Sequence, residues 1–327
     1  MTRTSRTVVI RRHGGPEVLE IEDRELGEPG PGEVLIRHEA VGLNFIDTYQ
    51  RSGIYPMQLP AALGQEGAGV IEAVGQGVAH LRPGDRAAYG GGPAGAYAES
   101  RVMPAGAVVR LPDAVSFEDA AAVMLKGLTV QFLFRRTGPI GPGDTVLLHA
   151  AAGGVGLLAC QWARSEGIRV IGTAGGPEKC AMAREAGAAE VIDTREVQDL
   201  AAEVRRLNGG RGVDVVMDGV GRDTFEASLD SLRPLGMLIV FGGASGPVPP
   251  FDIMGLARRG SLKLTRPTLF THLAEGALPE MAADLFGKMG KGEVRARIGQ
   301  RFRLAEVAEA HRALEARATT GATVLVP

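Results

Sequence analysis

Strand-like and helix-like segments alternate through the middle of this 327-residue chain, and this alternation constrains its fold more than any other feature. Each strand-like segment is a short apolar run, and each is followed by apolar residues at helical spacing. The strands predicted in this way are 145–149, 169–173, 191–193, 213–218 and 237–241. The predicted helices include Val155–Gly167, Pro177–Gly187 and a segment reaching about Arg233. Such an order predicts a doubly wound parallel sheet with helices on both faces.

A glycine cluster lies where the first of these strands meets its helix. The sequence Leu147-Leu-His-Ala-Ala-Ala-Gly-Gly-Val-Gly156 follows an apolar run and opens a helical pattern, which is the context of a dinucleotide-binding fingerprint. Glycines here allow close approach of backbone to a pyrophosphate, which the N–H groups of the helix start would bind. The predicted contacts are Gly153, Gly154, Val155 and Gly156. The cluster alone is equally typical of a tight turn, and the repeated alternation favours the nucleotide site.

The end of the second strand bears on the choice of cofactor. An NAD site usually carries an acidic residue there to bind the ribose 2′-hydroxyl. The segment Val170–Lys179 has no acid before Glu178, and Lys179 follows directly. A lysine at a helix start can pair with a 2′-phosphate as a point charge. We therefore predict NADPH, with Lys179 and Gly175 as contacts; a solvent-facing helix residue is the alternative for Lys179.

The first 112 residues have a different pattern. Closely spaced strand-like runs are broken by Gly and Pro, as in Gly30-Pro31-Gly32 and Arg82-Pro83-Gly84-Asp85, which predicts a compact antiparallel β domain or partly open barrel. A helix beginning at a capping box near Ser116 follows. After Gly260 the chain is mixed, with predicted helices at 278–289 and 304–316 and a strand at 322–326.

Composition excludes several classes of protein. Glycine accounts for 47 of the 327 residues, about twice the usual share, but without the triplet period of collagen. The net charge of −2 gives no general attraction to nucleic acid or anionic membranes. Two cysteines cannot form a disulfide framework, and no apolar run reaches membrane-spanning length. We expect a soluble, cytoplasmic protein without a membrane partner.

Motifs along the whole chain, including the β region, indicate a family resemblance. They are Gly42-Leu-Asn-Phe-Ile-Asp-Thr-Tyr-Gln-Arg-Ser-Gly-Ile-Tyr-Pro56, Gly64-Gln-Glu-Gly-Ala-Gly-Val-Ile-Glu-Ala-Val-Gly75, Lys126-Gly-Leu-Thr129, Val220-Gly-Arg-Asp-Thr224, Thr265-Arg-Pro267 and Arg317-Ala-Thr319. Together they resemble the zinc-free branch of the medium-chain dehydrogenase/reductase superfamily, nearest to bacterial NADPH:quinone oxidoreductases related to zeta-crystallin. The resemblance implies a GroES-like domain from residues 1–125 and 267–327, around a Rossmann domain of residues 126–266 that forms a homodimer.

The resemblance also identifies where zinc-dependent relatives hold their metal. Those relatives carry a catalytic Cys and a Gly-His-Glu where this chain has Asn44 and Gly64-Gln65-Glu66. The cysteines, Cys160 and Cys180, fall in predicted helices of the Rossmann region, where small buried thiols are the simpler interpretation. We therefore predict no metal site and no zinc-assisted alcohol oxidation.

Site residues are carried over from the family position by position. Asn44, Tyr49 and Tyr55 correspond to polar groups that line the nicotinamide pocket between the domains, although Tyr49 would equally pack with its hydroxyl in water. The implied cofactor contacts are Asn44, Lys126 and Thr129 at a helix start, Phe241, Gly242 and Ser245 after the fifth strand, and Arg266 and Arg317. Gln131 and Thr194 stand where relatives carry Tyr, which leaves the adenine contacts open.

These features predict hydride transfer from NADPH to a quinone or another planar electrophile, with the cofactor supplying the chemistry. We find no Ser/His/Asp constellation, carboxylate pair or evident general acid in the sequence. A quinone needs little acid assistance, because its reduced oxygen is a stable phenolate-like anion. The alternatives are reduction of an enone, alkenal or enoyl-thioester C=C bond, and a non-catalytic role in binding NADPH or RNA.

Overall fold

The computed structural model describes residues 3–327, which divide into two compact units. One unit comprises residues up to Leu128 together with Leu269–Pro327, and the other is Thr129–Thr268. The strands, in chain order, are β1 Arg3–Ile10, β2 Glu20–Leu26, β3 Glu33–Leu43, β4 Ala61–Ala62, β5 Glu66–Val74, β6 Arg86–Gly90, β7 Ser100–Pro104, β8 Val109–Arg110, β9 Thr145–Leu148, β10 Arg169–Ala174, β11 Glu190–Asp193, β12 Val213–Asp218, β13 Leu232–Val240, β14 Lys263–Thr265, β15 Ile298–Arg303 and β16 Ala322–Val326.

Helices connect these strands. In chain order they are α1 Phe45–Ser52, α2 Phe117–Arg135, α3 Gly154–Ser165, α4 Pro177–Ala186, α5 Leu200–Leu207, α6 Phe225–Ser231, α7 Met254–Arg258, α8 Leu269–Ala274, α9 Leu278–Gly290 and α10 Val307–Glu315. Short 3₁₀ turns lie at Pro16–Val18, Ala105–Ala107 and Leu304–Glu306. The predicted cap at the start of α2 is present, since Ser116 Oγ accepts a hydrogen bond from the Asp119 N–H at 3.0 Å.

The unit with both chain ends is β-rich, as predicted. Its larger sheet has the order β15-β16-β3-β5-β6-β8, with β7 also paired to β3, and its smaller sheet has the order β2-β1-β4. The ladders are antiparallel except between β15 and β16. A buried apolar cluster fills this unit and includes Ile36, Leu63 and Tyr97. β16, near the end of the sequence, pairs with β3, so the two separate segments of this unit share one sheet.

The other unit is a single parallel sheet with the order β11-β10-β9-β12-β13-β14. This is the strand order of a doubly wound nucleotide-binding domain, in which ligands bind at the carboxyl ends of the strands. Its core includes Leu147, Val216 and Leu238, whose near-continuous apolar strands are typical of parallel sheets covered on both faces. The predicted doubly wound α/β fold is therefore confirmed.

Some predicted bounds are wrong. The helix predicted to reach Arg233 ends at Ser231, and β13 begins at Leu232 rather than Met237. Leu232 is buried and paired beside Val213, so the chain passes from helix to strand without a loop that the sequence could reveal. The predicted strands β12 and β16 have the observed bounds. Among residues 3–327, no helix is both long and apolar enough to cross a membrane.

Candidate active site

Three buried polar side chains converge where β5 begins, and we call them the Glu66 cluster: Asn44, Glu66 and Lys126. Glu66 Oε2 accepts hydrogen bonds from Asn44 Nδ2 and Lys126 Nζ, both at 2.8 Å. Its Oε1 accepts one from the Leu125 N–H at 2.7 Å. Glu66 is 0% exposed, and Asn44 and Lys126 are also buried. The carboxylate therefore has three donors and one counter-ion, which offset the cost of removing an ion pair from water.

The donors at this position do not suit a zinc ion. Zinc sites in proteins use thiolates, imidazoles and carboxylates, whereas here an amide and an ammonium group, from Asn44 and Lys126, bind the only carboxylate of the cluster. Among the described residues, no three His, Cys, Asp or Glu side chains form a group able to hold a metal ion. Cys160 is buried in α3, and burial raises the pKa of its thiol to about 12, so it remains protonated.

Two tyrosines stand together at the end of α1. The rings of Tyr49 and Tyr55 are 5.3 Å apart between centroids and nearly perpendicular, and the Tyr55 N–H donates to the Tyr49 carbonyl at 3.0 Å. Gly53, at the C-terminus of α1, has a φ of 86°, which reverses the chain and brings Tyr55 back over the helix. Tyr55 is 37% exposed, so this aromatic pair is partly accessible at the surface of the unit.

The glycine loop after β9 has the geometry that a pyrophosphate requires. Gly153 caps α3, whose first N–H groups lack partners in the helix. A Cβ at Gly156 would lie 2.7 Å from the Ala151 Cα, so the close packing of α3 on the loop requires glycine. Ala150 has a φ of 53°, a strained conformation for a non-glycine residue. The loop thus aims unpaired N–H groups and the positive end of a helix dipole at the edge of the sheet.

A buried hydrogen-bond network that the sequence analysis missed supports the neighbouring turn after β12. Asp218 is 0% exposed and accepts from Thr224 Oγ1, from Ser228 Oγ and from the N–H groups of Val220 and Gly221. His149 Nε2 lies 2.9 Å from Ser228 Oγ, and burial lowers the pKa of this histidine. A Ser/His/Asp set therefore does exist, contrary to the sequence analysis.

This set does not have the arrangement of a hydrolytic triad. The aspartate bonds the serine rather than the histidine, and Asp218, Ser228 and His149 are all buried. A nucleophile needs a reachable hydroxyl with a base beside it and an orienting group behind that base. The network instead fixes the carboxyl ends of β9 and β12, which are the strand ends that flank a nucleotide in this fold.

The segment after β13 packs directly on that turn. Ser245 Oγ donates to the Val220 carbonyl at 2.9 Å and accepts from the Asp223 N–H at 3.0 Å. A Cβ at Gly242 would lie 3.0 Å from the Gly219 Cα, so the two loops touch through backbone. Phe241 lies against Gly219, where a side chain would meet its ring. The Ser245 hydroxyl is therefore bonded to the turn, and Phe241 and Gly242 pack against Gly219 in it.

Two cations, Lys179 and Arg195, lie near the turn between β10 and α4, and the sequence analysis missed Arg195. Asp193, at the end of β11, accepts from the N–H groups of Gly176 (2.8 Å) and Arg195 (3.0 Å), and these bonds lower the pKa of Asp193. The Arg195 guanidinium lies over Gly176, whose absent Cβ would be 2.8 Å from Arg195 Nη1. Arg195 is exposed, and Lys179 is in the first turn of α4. An arginine beside this strand end is a signal for a 2′-phosphate.

The remaining predicted contacts are distributed over both units. Lys126 and Thr129 lie in the middle of α2 and not at a helix start. Arg266 is exposed after β14 in the parallel-sheet unit and donates to the Pro267 carbonyl at 3.1 Å. Arg317 follows α10 in the β-rich unit with a φ of 56°. Thr194 Oγ1 donates to the Ala174 carbonyl at 3.3 Å. The roles of these residues stay predictions.

Two family models match the chain in the regions just described. The model of the alcohol dehydrogenase GroES-like domain matches residues 30–113, and that of the zinc-binding dehydrogenase matches residues 154–283. A GroES-like β-rich unit beside a Rossmann-type unit is the architecture of the medium-chain dehydrogenases/reductases. The second model takes its name from zinc-dependent members, whose donor set the Glu66 cluster lacks.

Similar proteins narrow this class. The quinone oxidoreductase of Pseudomonas aeruginosa is 51% identical, over 99% of this chain and 100% of the relative. The 2-haloacrylate reductase of a Burkholderia species is 41% identical over 98% of each chain. The crystal structure of Escherichia coli quinone oxidoreductase complexed with NADPH has a TM-score of 0.96 and 43% identity, covering 98% of this chain and 100% of that chain. This chain belongs to the quinone oxidoreductase family, as its motifs predicted.

Proposed function

We propose that this protein is an NADPH-dependent quinone reductase that transfers hydride to a quinone without a metal ion. The observation that carries the proposal is the Glu66 cluster, in which Asn44 replaces the catalytic Cys of zinc dehydrogenases and the Glu66 carboxylate is bonded to Asn44 and Lys126. The full-length similarity to quinone oxidoreductases supports it. Such a site fits a hydride acceptor that needs no Lewis acid. A quinone is an acceptor of this kind, because its reduced form is a stabilised anion.

The parallel-sheet unit fits a dinucleotide. The absent Cβ of Gly156 keeps α3 close to the loop, and Gly154, Val155 and Gly156 would offer their N–H groups to the pyrophosphate. Gly153, whose own N–H is donated to the Ala150 carbonyl at 2.9 Å, would contact the ligand through its Cα. At the turn after β10, Gly175, Lys179 and Arg195 would hold the 2′-phosphate, with two positive charges for one phosphate group. When bound, NADPH supplies the hydride. The glycine loop and the turn after β10 would hold its phosphates.

The polar groups around the Glu66 cluster would orient the reactants. Asn44 and Lys126 are proposed to bind the nicotinamide ribose and amide, and Tyr49 and Tyr55 to stack on the planar acceptor and bond its oxygens. Because Glu66 binds both Asn44 and Lys126, it fixes these two donors before ligand arrives, which lowers the entropic cost of orientation. The other proposed cofactor contacts are Thr129, Phe241, Gly242, Ser245, Arg266 and Arg317.

A second candidate activity is reduction of an activated C=C bond. It is favoured by the 41% identity to a 2-haloacrylate reductase over 98% of both chains, since a haloacrylate is an electron-poor alkene. Hydride addition to such an alkene uses the same cofactor and orientation, but it leaves a carbanion that must then be protonated. The two activities therefore differ in their need for a proton donor near the acceptor.

The deciding experiment measures NADPH oxidation by the purified protein with a 1,4-quinone and a 2-enone in parallel, and with NADH as cofactor control. Turnover with the quinone, and little with the enone, is the expected result. Turnover with the enone alone would transfer the proposal to C=C reduction. Binding of NADPH without turnover of either acceptor would contradict both activities and leave a binding role.

We also propose that the protein is a cytoplasmic homodimer that pairs through its parallel-sheet unit. Support comes from β14, an edge strand of that sheet on which Leu264 is 40% exposed. Leu235, Ile253 and Met254, in β13 and around the start of α7, are also exposed apolar side chains of this unit. An edge strand with apolar neighbours is a natural place for a second copy to pair.

A further inference from the structure

Asp47, in the first turn of α1, is a buried carboxyl group that the proposed reaction does not use. It is 0% exposed. Its Oδ2 accepts hydrogen bonds from the Asn44 N–H and from Tyr97 Oη, both at 2.8 Å, whereas its Oδ1 is buried without a partner. An ionised carboxylate has about four acceptor positions. Asp47 is therefore poorly compensated as an anion, in contrast to Glu66.

The hydrogen bonds behind Tyr97 have a fixed direction. Arg51 can only donate, so His311 Nδ1, which is 3.0 Å from Arg51 Nη1, must be the acceptor. The imidazole proton is then on Nε2 and is donated to Tyr97 Oη at 3.2 Å. Burial and Arg51 lower the pKa of His311 to about 3, so the ring is neutral. Tyr97 in turn donates to Asp47, which thus receives only neutral hydrogen bonds from this side.

The charges that face Asp47 come from several packed elements. Arg51 lies on α1 itself, and Glu315 on α10 neutralises it at 2.5 Å. Lys126 on α2 is paired with Glu66 on β5. No net positive charge is therefore left for Asp47. Burial raises the pKa of Asp47 to about 7, and the bonds from Tyr97 and Asn44 only partly oppose this.

We propose that Asp47 is a positioning residue whose protonated form supports cofactor binding, and that its ionisation weakens the hold of the Glu66 cluster on the cofactor. Loss of the proton would place a second buried negative charge beside the one ammonium group, Lys126. The charge of Lys126, which interacts electrostatically with Asp47, would then be offset by two carboxylates, and the positive potential it offers to an anionic ligand would fall. The Asn44 backbone, bonded to Asp47, connects the same event to α1. This inference rests on the proposed role of Asn44 and Lys126 in cofactor binding.

The pH dependence of kcat/KM for NADPH tests the proposal, since a merely structural carboxyl would not change it. The wild-type value should fall about tenfold per pH unit above an ionisation near pH 7. Asp47→Asn, which stays neutral, should abolish that fall between pH 6 and 9. Tyr97→Phe removes a donor that stabilises the anion, so the fall should move to higher pH. Asp199→Asn, the same change at the exposed N-cap of α5, is the control and should keep the wild-type profile.

A second measurement does not depend on catalysis. Below the unfolded-state value of 3.8, Asp47 is protonated in both states; as the pH rises from there to about 7, only the unfolded chain loses the proton. The free energy of unfolding in urea should therefore fall with pH across this range in the wild type relative to Asp47→Asn. A pH-independent difference between these two proteins, or an unchanged kcat/KM profile in Asp47→Asn, overturns the proposal. If the unfolding difference is present but no quinone is reduced, the proposed function fails and the ionisation of Asp47 stands.

Discussion

At the scale of single residues, the site depends on contacts between side chains that are far apart in the sequence. Lys179 can be recognised because it lies in the first turn of the helix that follows β10, the second strand of the parallel unit along the chain. Arg195 cannot, because it lies beyond the next strand and reaches the same turn only through Asp193, whose carboxylate ties together the Gly176 and Arg195 backbones. The sequence thus bases the preference for NADPH on Lys179 alone, whereas the structure bases it on Lys179 and Arg195.

This pair gives a prediction about cofactor specificity. Lys179→Ala and Arg195→Ala should each raise the Kd for NADPH about tenfold, or about 1.4 kcal/mol, because each removes one charged partner of the 2′-phosphate in an exposed setting. The Kd for NADH should stay within twofold of wild type. Fluorescence titration with both cofactors is the measurement. Arg206→Ala, which removes an arginine paired with Glu203 on α5, is the control; equal losses for NADH and NADPH would contradict the assignment.

The buried ion pair of the Glu66 cluster gives a prediction about stability. Glu66→Gln leaves Lys126 as an uncompensated buried charge and should lower the free energy of unfolding by about 3–5 kcal/mol. The double variant Glu66→Gln with Lys126→Met should recover most of this loss, because no buried charge remains. Urea unfolding at one pH measures Glu66→Gln, the single variant Lys126→Met and the double variant.

The control for this stability prediction is an ion pair on the protein surface. Glu118→Gln breaks the pair with Arg301, whose two side chains are 40% and 53% exposed, and should cost less than about 1 kcal/mol. Additive losses in the Glu66 and Lys126 double variant would show that the two charges do not depend on each other.

At the scale of elements, the sequence predicts apolar strands and misses the polar ones at the sheet edges. β12 and β16 were predicted with their observed bounds, because buried strands are continuous apolar runs between turn residues. β2 and β15 were missed, since their sequences EIEDREL and IGQRFR are largely polar and each strand pairs on one side only. α1 was missed because it is only eight residues long and the side chains it buries, Asp47, Thr48 and Arg51, are polar. The Glu66 cluster could not be predicted for a different reason: its three members come from β5, from the N-cap of α1 and from α2, which only the tertiary fold brings together.

The glycine loop gives a prediction at this scale. Gly156→Ala would place a Cβ 2.7 Å from the Ala151 backbone, and since backbone cannot give way cheaply, α3 must shift from the loop. Cofactor affinity should fall at least tenfold, with a loss of about 1–3 kcal/mol in stability. The matched control is Gly287→Ala in α9, where a Cβ meets nothing within 4 Å, and the higher helix propensity of alanine should stabilise by about 0.5–1 kcal/mol. Calorimetry and NADPH titration measure both variants; equal affinity in Gly156→Ala would contradict the loop's role.

At the scale of the whole molecule, the two edge strands of the parallel sheet, β11 and β14, differ in the side chains they expose. β11 is four residues long and has charged residues, Glu190 and Asp193, at its ends, which discourages pairing with another chain. β14 instead exposes Leu264, and the adjoining segments expose Leu235, Ile253 and Met254. Large apolar side chains are seldom gathered on a monomer's surface without a partner. The asymmetry between the two edges therefore favours one isologous contact and a closed dimer over an open chain of subunits.

Because only the β14 edge is apolar, one charged substitution on β14 can test the proposed dimer. Leu264→Lys would put two like charges opposite each other across a two-fold axis at the β14 edge, where the desolvation and repulsion should convert the dimer into monomer at micromolar concentration. Light scattering after gel filtration measures the mass, and circular dichroism checks that the fold is kept. Ile21→Lys is the matched control, because Ile21 is 43% exposed on the edge strand β2 of the other unit, and it should leave the mass at two chains. A wild-type protein of one chain's mass, or a Leu264→Lys protein that stays at two, would remove β14 as the interface.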